Sequence, residues 1–121
     1  ATLERFNIAE HRNRLIPELS GGVKKLLDIA MAMAGETQIM LLDEPTSGVA
    51  ADEKFPIMDL VINALRDEGV TVIFVEHDMD IVNRYSERVV AFYDGQIIAD
   101  DTPDVVLSDA EVQRYVTGAP A

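Results

Sequence analysis

Two carboxylates stand side by side at the end of an apolar run, Ile39-Met40-Leu41-Leu42-Asp43-Glu44, and a second run, Val72-Ile73-Phe74-Val75, ends in Glu76-His77. A strand-terminal Asp suits coordination of Mg²⁺ or of one of its waters, and an adjacent Glu can orient or deprotonate an attacking water. A His on a neighbouring strand can hold a terminal phosphate. Upstream, Ser20-Gly21-Gly22 precedes a helical pattern, and the exposed amides of a helix N-terminus bind anions. All three are devices for handling phosphate. Each also has a plainer reading: acids that begin a solvated turn, a Glu-His pair of no consequence, a Ser-Gly helix cap. Their order and spacing, taken together, favour the chemistry. Yet the 121 residues contain no G-x-x-x-x-G-K-[ST] loop, the element that normally cradles the phosphates of such a site.

The elements that must position these groups follow from periodicity. Leu3 to Arg14 is polar and weakly helical, and Pro17 is expected to stop it. From Gly22 to about Ala34, Leu26, Leu27, Ile29, Ala30 and Met33 recur at helical spacing, which predicts an amphipathic helix. Gln38–Leu42 and Val70–Val75 are short continuous apolar runs of the kind found in strands buried on both faces, and the two are expected to be parallel. Between them Ile57, Leu60, Val61, Ala64 and Leu65 mark a helix that ends at Gly69 and begins near Asp52 or Glu53, where Pro56 is tolerated. The result is a strand, helix, strand unit. Ligands of open parallel sheets bind beyond the carboxyl ends of the strands, where Asp43-Glu44 and Glu76-His77 both stand. Further on, Arg88–Tyr93 and Gln96–Ala99 flank Asp94-Gly95, the dipeptide that favours a two-residue hairpin. The tail from Pro103 to Tyr115 reads as one or two short helices starting at Thr102-Pro103 and Ser108-Asp109.

Composition excludes several classes. At 48% hydrophobic the chain can bury a core and is expected to form one folded unit. Ten basic against 22 acidic residues give a net charge of -12, so a phosphate backbone would be repelled over most of the surface and nucleic acid is an unsuitable partner. The absence of cysteine removes disulfides and thiolate metal sites and suits the cytoplasm. No run approaches the roughly 18 consecutive apolar residues of a membrane span, and the start, ATLERFNIAEHRNR, has no apolar signal-peptide region.

The set of motifs resembles the ATP-binding cassette (ABC) ATPases over essentially the whole chain. Leu19-Ser20-Gly21-Gly22 matches the signature sequence, Ile39 to Pro45 looks like the Walker B strand with its catalytic glutamate, Ser47 to Ala51 takes the place of the D-loop, and Val75-Glu76-His77-Asp78-Met79 that of the switch-histidine loop. Within the family, this last loop and the tail from Ser86 to Gly118 look most like the ATPase subunits of branched-chain amino acid importers; urea-type importers and the lipopolysaccharide-export ATPase share much of the tail. Three positions depart from the pattern: Val23 replaces the usual Gln, Met31 an Arg, and Ala50 the frequent D-loop Asp. The DNA-repair and chromosome-organising relatives, whose surfaces face DNA, fit poorly with the charge.

The resemblance implies an α/β fold, the C-terminal part of a P-loop NTPase (RecA-like) domain: parallel strands with flanking helices and a terminal hairpin, with the Walker A strand missing. Residues 1–34 would be the end of the helical subdomain and the signature helix, 35–100 the Walker B to hairpin core, and 101–121 a helical tail. It implies ATP and Mg²⁺, with Asp43 for the metal directly or through a water, Glu44 for the attacking water and His77 for the γ-phosphate. Ser20, Gly21 and Gly22 would contact nucleotide held by a second ATPase subunit in a head-to-tail dimer, with Ser47, Gly48, Val49 and Ala50 at the dimer contact. Transmembrane permease subunits would hold the protein at the inner face of the cytoplasmic membrane. Without the Walker A loop the chain is expected to be inactive alone and to self-associate through exposed strand edges. The alternative is a non-catalytic interaction module derived from such an ATPase.

Overall fold

The first helix is short because the chain reverses directly after it. In a computed structural model, which describes residues 2–118, α1 (Thr2–Arg5) ends because Asn7 takes a left-handed conformation, φ 54°. Asn is among the residues that tolerate it. The reversal lets Phe6 and Ile8 both enter the core, and a 3₁₀ turn, Ala9–His11, follows. The continuous helix expected over Leu3–Arg14 is therefore broken. Pro17 does not act as a stop: it sits within a 3₁₀ turn, Ile16–Glu18, whose first turn has no use for the amide that proline lacks.

The described residues fall into two compact units, Ala1–Val75 and Glu76–Ala121. In the first, α2 (Gly21–Ala32) buries Gly22, Leu26, Ile29 and Ala30, one stripe at helical spacing. β1 (Ile39–Asp43) and β2 (Thr71–Val75) form a parallel pair with Ile39 opposite Thr71 and Asp43 opposite Val75, as the sequence predicts. The crossover is α3 (Lys54–Asp67), with Ile57, Met58, Val61, Ala64 and Leu65 buried; Pro56 falls in its first turn and Gly69 follows its end at φ 68°. Arg5 and Glu68 form an ion pair between α1 and the end of α3.

One expectation fails here. The two strands are buried on one face only. Met40 and Leu42 are 6% and 9% exposed, packed with α2 and α3, whereas Leu41 and Val75 are 72% and 64% exposed, and Ile39 and Ile73 share that outward face. The apolar runs carry the hydrophobicity of a doubly covered strand, but the helices of this unit cover one side.

The second unit opens with α4 (Met79–Tyr85), which periodicity had not marked. Asp78 caps it, its carboxylate accepting from the amides of Asp80 and Ile81 at 3.1 and 3.4 Å. β3 (Val89–Tyr93) and β4 (Gln96–Asp101) form the expected antiparallel hairpin. Asp94 and Gly95 both have positive φ, 49° and 73°, the pair of left-handed residues that a type I′ turn requires. A bulge follows Ala91, where Ile98 is the extra residue, and Arg88 bridges to Asp100 across the ladder. α5 (Pro103–Ser108) and α6 (Ala110–Val112) start where the sequence places them, and a π-helical turn, Gln113–Thr117, continues α6. Val106 and Val112 meet Ala91 in a small core of their own, and Tyr115 stacks on Tyr93 at 4.5 Å. Residues 119–121 of the expected tail lie outside the described residues.

Candidate functional site

β1 delivers Asp43 at its last position, exposed and paired in register with Val75. The chain then turns sharply. The Glu44 amide donates to the Val75 carbonyl at 2.8 Å, fastening the first residue of the loop to the end of β2, while its backbone takes φ 46°. A left-handed glutamate is strained, at a cost of about 1–3 kcal/mol, and the following Pro45 restricts it further. Such strain collects at functional sites. Pro45 is buried, and the turn continues with the Ser47 amide donating to the Glu44 carbonyl at 3.0 Å and Val49 to Thr46 at 3.2 Å.

The signature segment lies against this turn. Ser20 caps α2, its hydroxyl accepting from the Val23 amide at 3.3 Å, so the plainer capping role is realised. A side chain on Gly21 would place its Cβ 2.6 Å from the carbonyl oxygen of Gly48; one on Gly22 would meet Cδ1 of Ile57 at 2.5 Å. Ser20 to Gly22 and the segment from Glu44 to Ala50 are thus neighbours in space, although more than twenty residues separate them. No such adjacency can be read from the sequence. Val23, one of the three departures, is half-buried against the core, while Met31 is 67% exposed on α2.

Glu76 and His77 belong to the second unit. The Glu76 carboxylate accepts from the Asp78 amide at 3.3 Å, ordering the bend before α4, and His77 is exposed within it. The sequence signal for α4 was present in Asp78, a cap residue followed by Ile81 and Val82. No group of three or more His, Cys, Asp or Glu able to hold a metal ion occurs among the described residues. Mg²⁺ does not need one, because it is held by one or two carboxylates together with substrate phosphates and waters, and the Asp43-Glu44 pair fits that donor set. The two concavities beside Arg5 include none of these residues.

Residues 1–47 match the family described as ABC transporter. The EcfA energy-coupling factor transporter ATP-binding protein of Methanothermobacter thermautotrophicus is 37% identical over 93% of this chain and 36% of its own length. Over nearly its whole length the chain is similar to ABC transporter ATP-binding proteins. The high-affinity branched-chain amino acid transport ATP-binding protein LivG of Salmonella typhimurium is 31% identical over 96% of the chain and 46% of its own length. Among solved structures, cbiO1 of Clostridium perfringens, part of the ABC transporter complex cbiONQ, superposes with a TM-score of 0.82 at 33% identity over 93% of this chain and 45% of that one. The fold is therefore that of an ABC ATPase domain, and this chain spans less than half the length of the relatives it matches.

Proposed function

We propose that this ABC chain supplies the signature, Walker B and switch-histidine portion of an ATP-hydrolysing transporter subunit, as a single partial domain running from the end of the helical subdomain (1–34) through the core (35–100) to the helical tail (101–121). The observation that carries this is the placing of Asp43 and a strained Glu44 at the carboxyl end of a parallel strand, with the signature glycines against the turn that follows them. ATP and Mg²⁺ are the expected cofactors. Asp43 binds the metal directly or through a water, Glu44 orients the attacking water, His77 holds the γ-phosphate, and the bound metal supplies charge neutralisation. Ser20, Gly21 and Gly22 contact nucleotide of a second ATPase subunit, with Ser47, Gly48, Val49 and Ala50 at the dimer contact and permease subunits as the membrane partners.

Cargo is inferred more narrowly. The switch loop and tail, with the likeness to LivG, support branched-chain amino acid import. The higher identity to EcfA supports an energy-coupling factor system as the second reading.

Alone, the chain lacks backbone amides and a lysine around the β- and γ-phosphates, and we expect no useful hydrolysis. The outward apolar face of β1 and β2 and their free edges favour self-association. Phosphate release from Mg²⁺-ATP by the purified chain, with Glu44→Gln as control, tests the first point. Equal silence in both agrees with it; turnover lost in the variant would mean that a complete site assembles without a phosphate loop. The alternative, a non-catalytic module docking on a full-length partner, predicts that Glu44→Gln leaves the biological activity of the assembly unchanged.

A further inference from the structure

We propose that Gly21 is a positioning residue, a steric coupler that makes the head of α2 and the turn after the Asp43-Glu44 carboxylates move as one body. Gly21 is exposed to solvent, so no packing of the core requires a glycine there, and glycine is a poor helix former. What requires it is the Gly48 carbonyl, 2.6 Å from where a Cβ would stand. The obstacle is backbone. It cannot rotate away as a side chain does, and Gly48 stands at φ 76°, a left-handed conformation that glycine adopts without strain. From Gly48 the path to the carboxylates is short: the Val49 amide donates to Thr46, Ser47 donates to Glu44, and Glu44 donates to Val75 at the end of β2. A shift of the α2 head is therefore passed to the backbone of Glu44.

Gly22 provides the contrast inside the same dipeptide. Its Cβ would meet Cδ1 of Ile57, the far end of a flexible side chain, with the Glu53 carboxylate at 3.4 Å. Gly22 lets α2 pack on α3; Gly21 lets α2 meet the turn. The proposal rests on the functional reading above only in taking Glu44 as the group that orients water, and the coupling itself needs no nucleotide.

Backbone amide shifts of the isotope-labelled chain test it. Gly21→Ala should move the amide resonances of Glu44 and of Thr46 to Val49 several-fold more than Gly22→Ala does, while Gly22→Ala should act on Glu53 and Ile57 and be relieved by adding Ile57→Val. Because Gly21→Ala can unfold the chain, Val49→Ala approaches from the other side and should shift the Gly21 amide. Perturbations from Gly21→Ala confined to residues 20–25, equal effects of the two glycine variants on the turn, or an unmoved Gly21 amide in Val49→Ala would each overturn the proposal. Phosphate release is read separately, so loss of the catalytic reading leaves the coupling result standing, and the reverse.

Discussion

The two units solve the problem of a small core differently. The first has a cluster of eleven buried hydrophobic residues from α2, β1, α3 and the Phe6–Ile8 reversal; the second has a cluster of three, Ala91, Val106 and Val112, with Ile81 and Val82 buried on α4, and adds turn and cap chemistry. Where apolar burial is plentiful, local sequence can be spent on strain, and the unit with the larger core is the one that carries the left-handed Glu44 before Pro45. Where burial is scarce, each turn must favour its own conformation: Asp94-Gly95 in the hairpin, Asp78 and Asp109 at helix starts.

The sharpest way to break this comparison is to remove the same kind of group from each core. Leu65 is fully buried in the first cluster, and Leu65→Ala should cost about 2–5 kcal/mol through lost transfer energy and the cavity left behind. Val106 is 1% exposed in the second, and Val106→Ala removes two methyl groups, about 2 kcal/mol. Denaturant unfolding followed by resolved amide signals of each unit checks both. If Val106→Ala destabilises as much as Leu65→Ala, the second unit depends on burial as heavily as the first.

A smaller effect belongs to the cap. The Asp109 carboxylate accepts from the amides of Glu111 and Val112 at 2.8 and 3.0 Å, and Val112 is the buried residue that clusters with Ala91 and Val106. Asp109→Ala should cost about 1 kcal/mol, and Asp109→Asn, which keeps an acceptor, a few tenths at most. Thermal melts of the two variants distinguish the cap from a general charge effect in a chain of net charge -12. Equal losses in both would assign the role to charge.

Legibility in the sequence followed the range of the interactions. The parallel β1 and β2, the crossover helix between them, the hairpin turn and both tail helices rest on periodicity and turn residues within ten or so positions, and these agree with the structure. The unbroken helix over Leu3–Arg14 failed because Phe6 and Ile8 are drawn into the core, a tertiary demand that overrides local propensity. Burial on both faces of β1 failed because apolar composition records what a strand can bury, whereas the cover for Leu41 and Val75 must come from other segments. At the site, the carboxylates were legible from type and position. The contact of Gly21 with Gly48 was not, since it depends on how α2 is set against a turn far along the chain.

The smallest expected effect lies in the hairpin, where Arg88 donates to Asp100 through Nε and a terminal nitrogen, both at 2.7 Å. Hydrogen bonding from Arg88, opposed by desolvation and reinforced by the guanidinium charge, holds the Asp100 carboxyl below the usual carboxylate range, and the same hydrogen bonds raise Arg88. A carboxyl with a lower proton affinity folded than unfolded contributes stability that is complete above its unfolded value and fades as pH falls through the folded one. For Asp100 that window runs from the ordinary aspartate value of about 4 downward, so the pair contributes fully at neutral pH and is lost in acid. The pair is open to solvent, so the contribution is slight and weakens with salt. Melting curves of the chain and of Asp100→Asn between neutral pH and strong acid should differ most at neutral pH and low salt and converge as Asp100 takes up its proton. A difference that persists in acid would mean that the carboxylate's shape, rather than its charge, supports the β3 and β4 ladder beside the bulge.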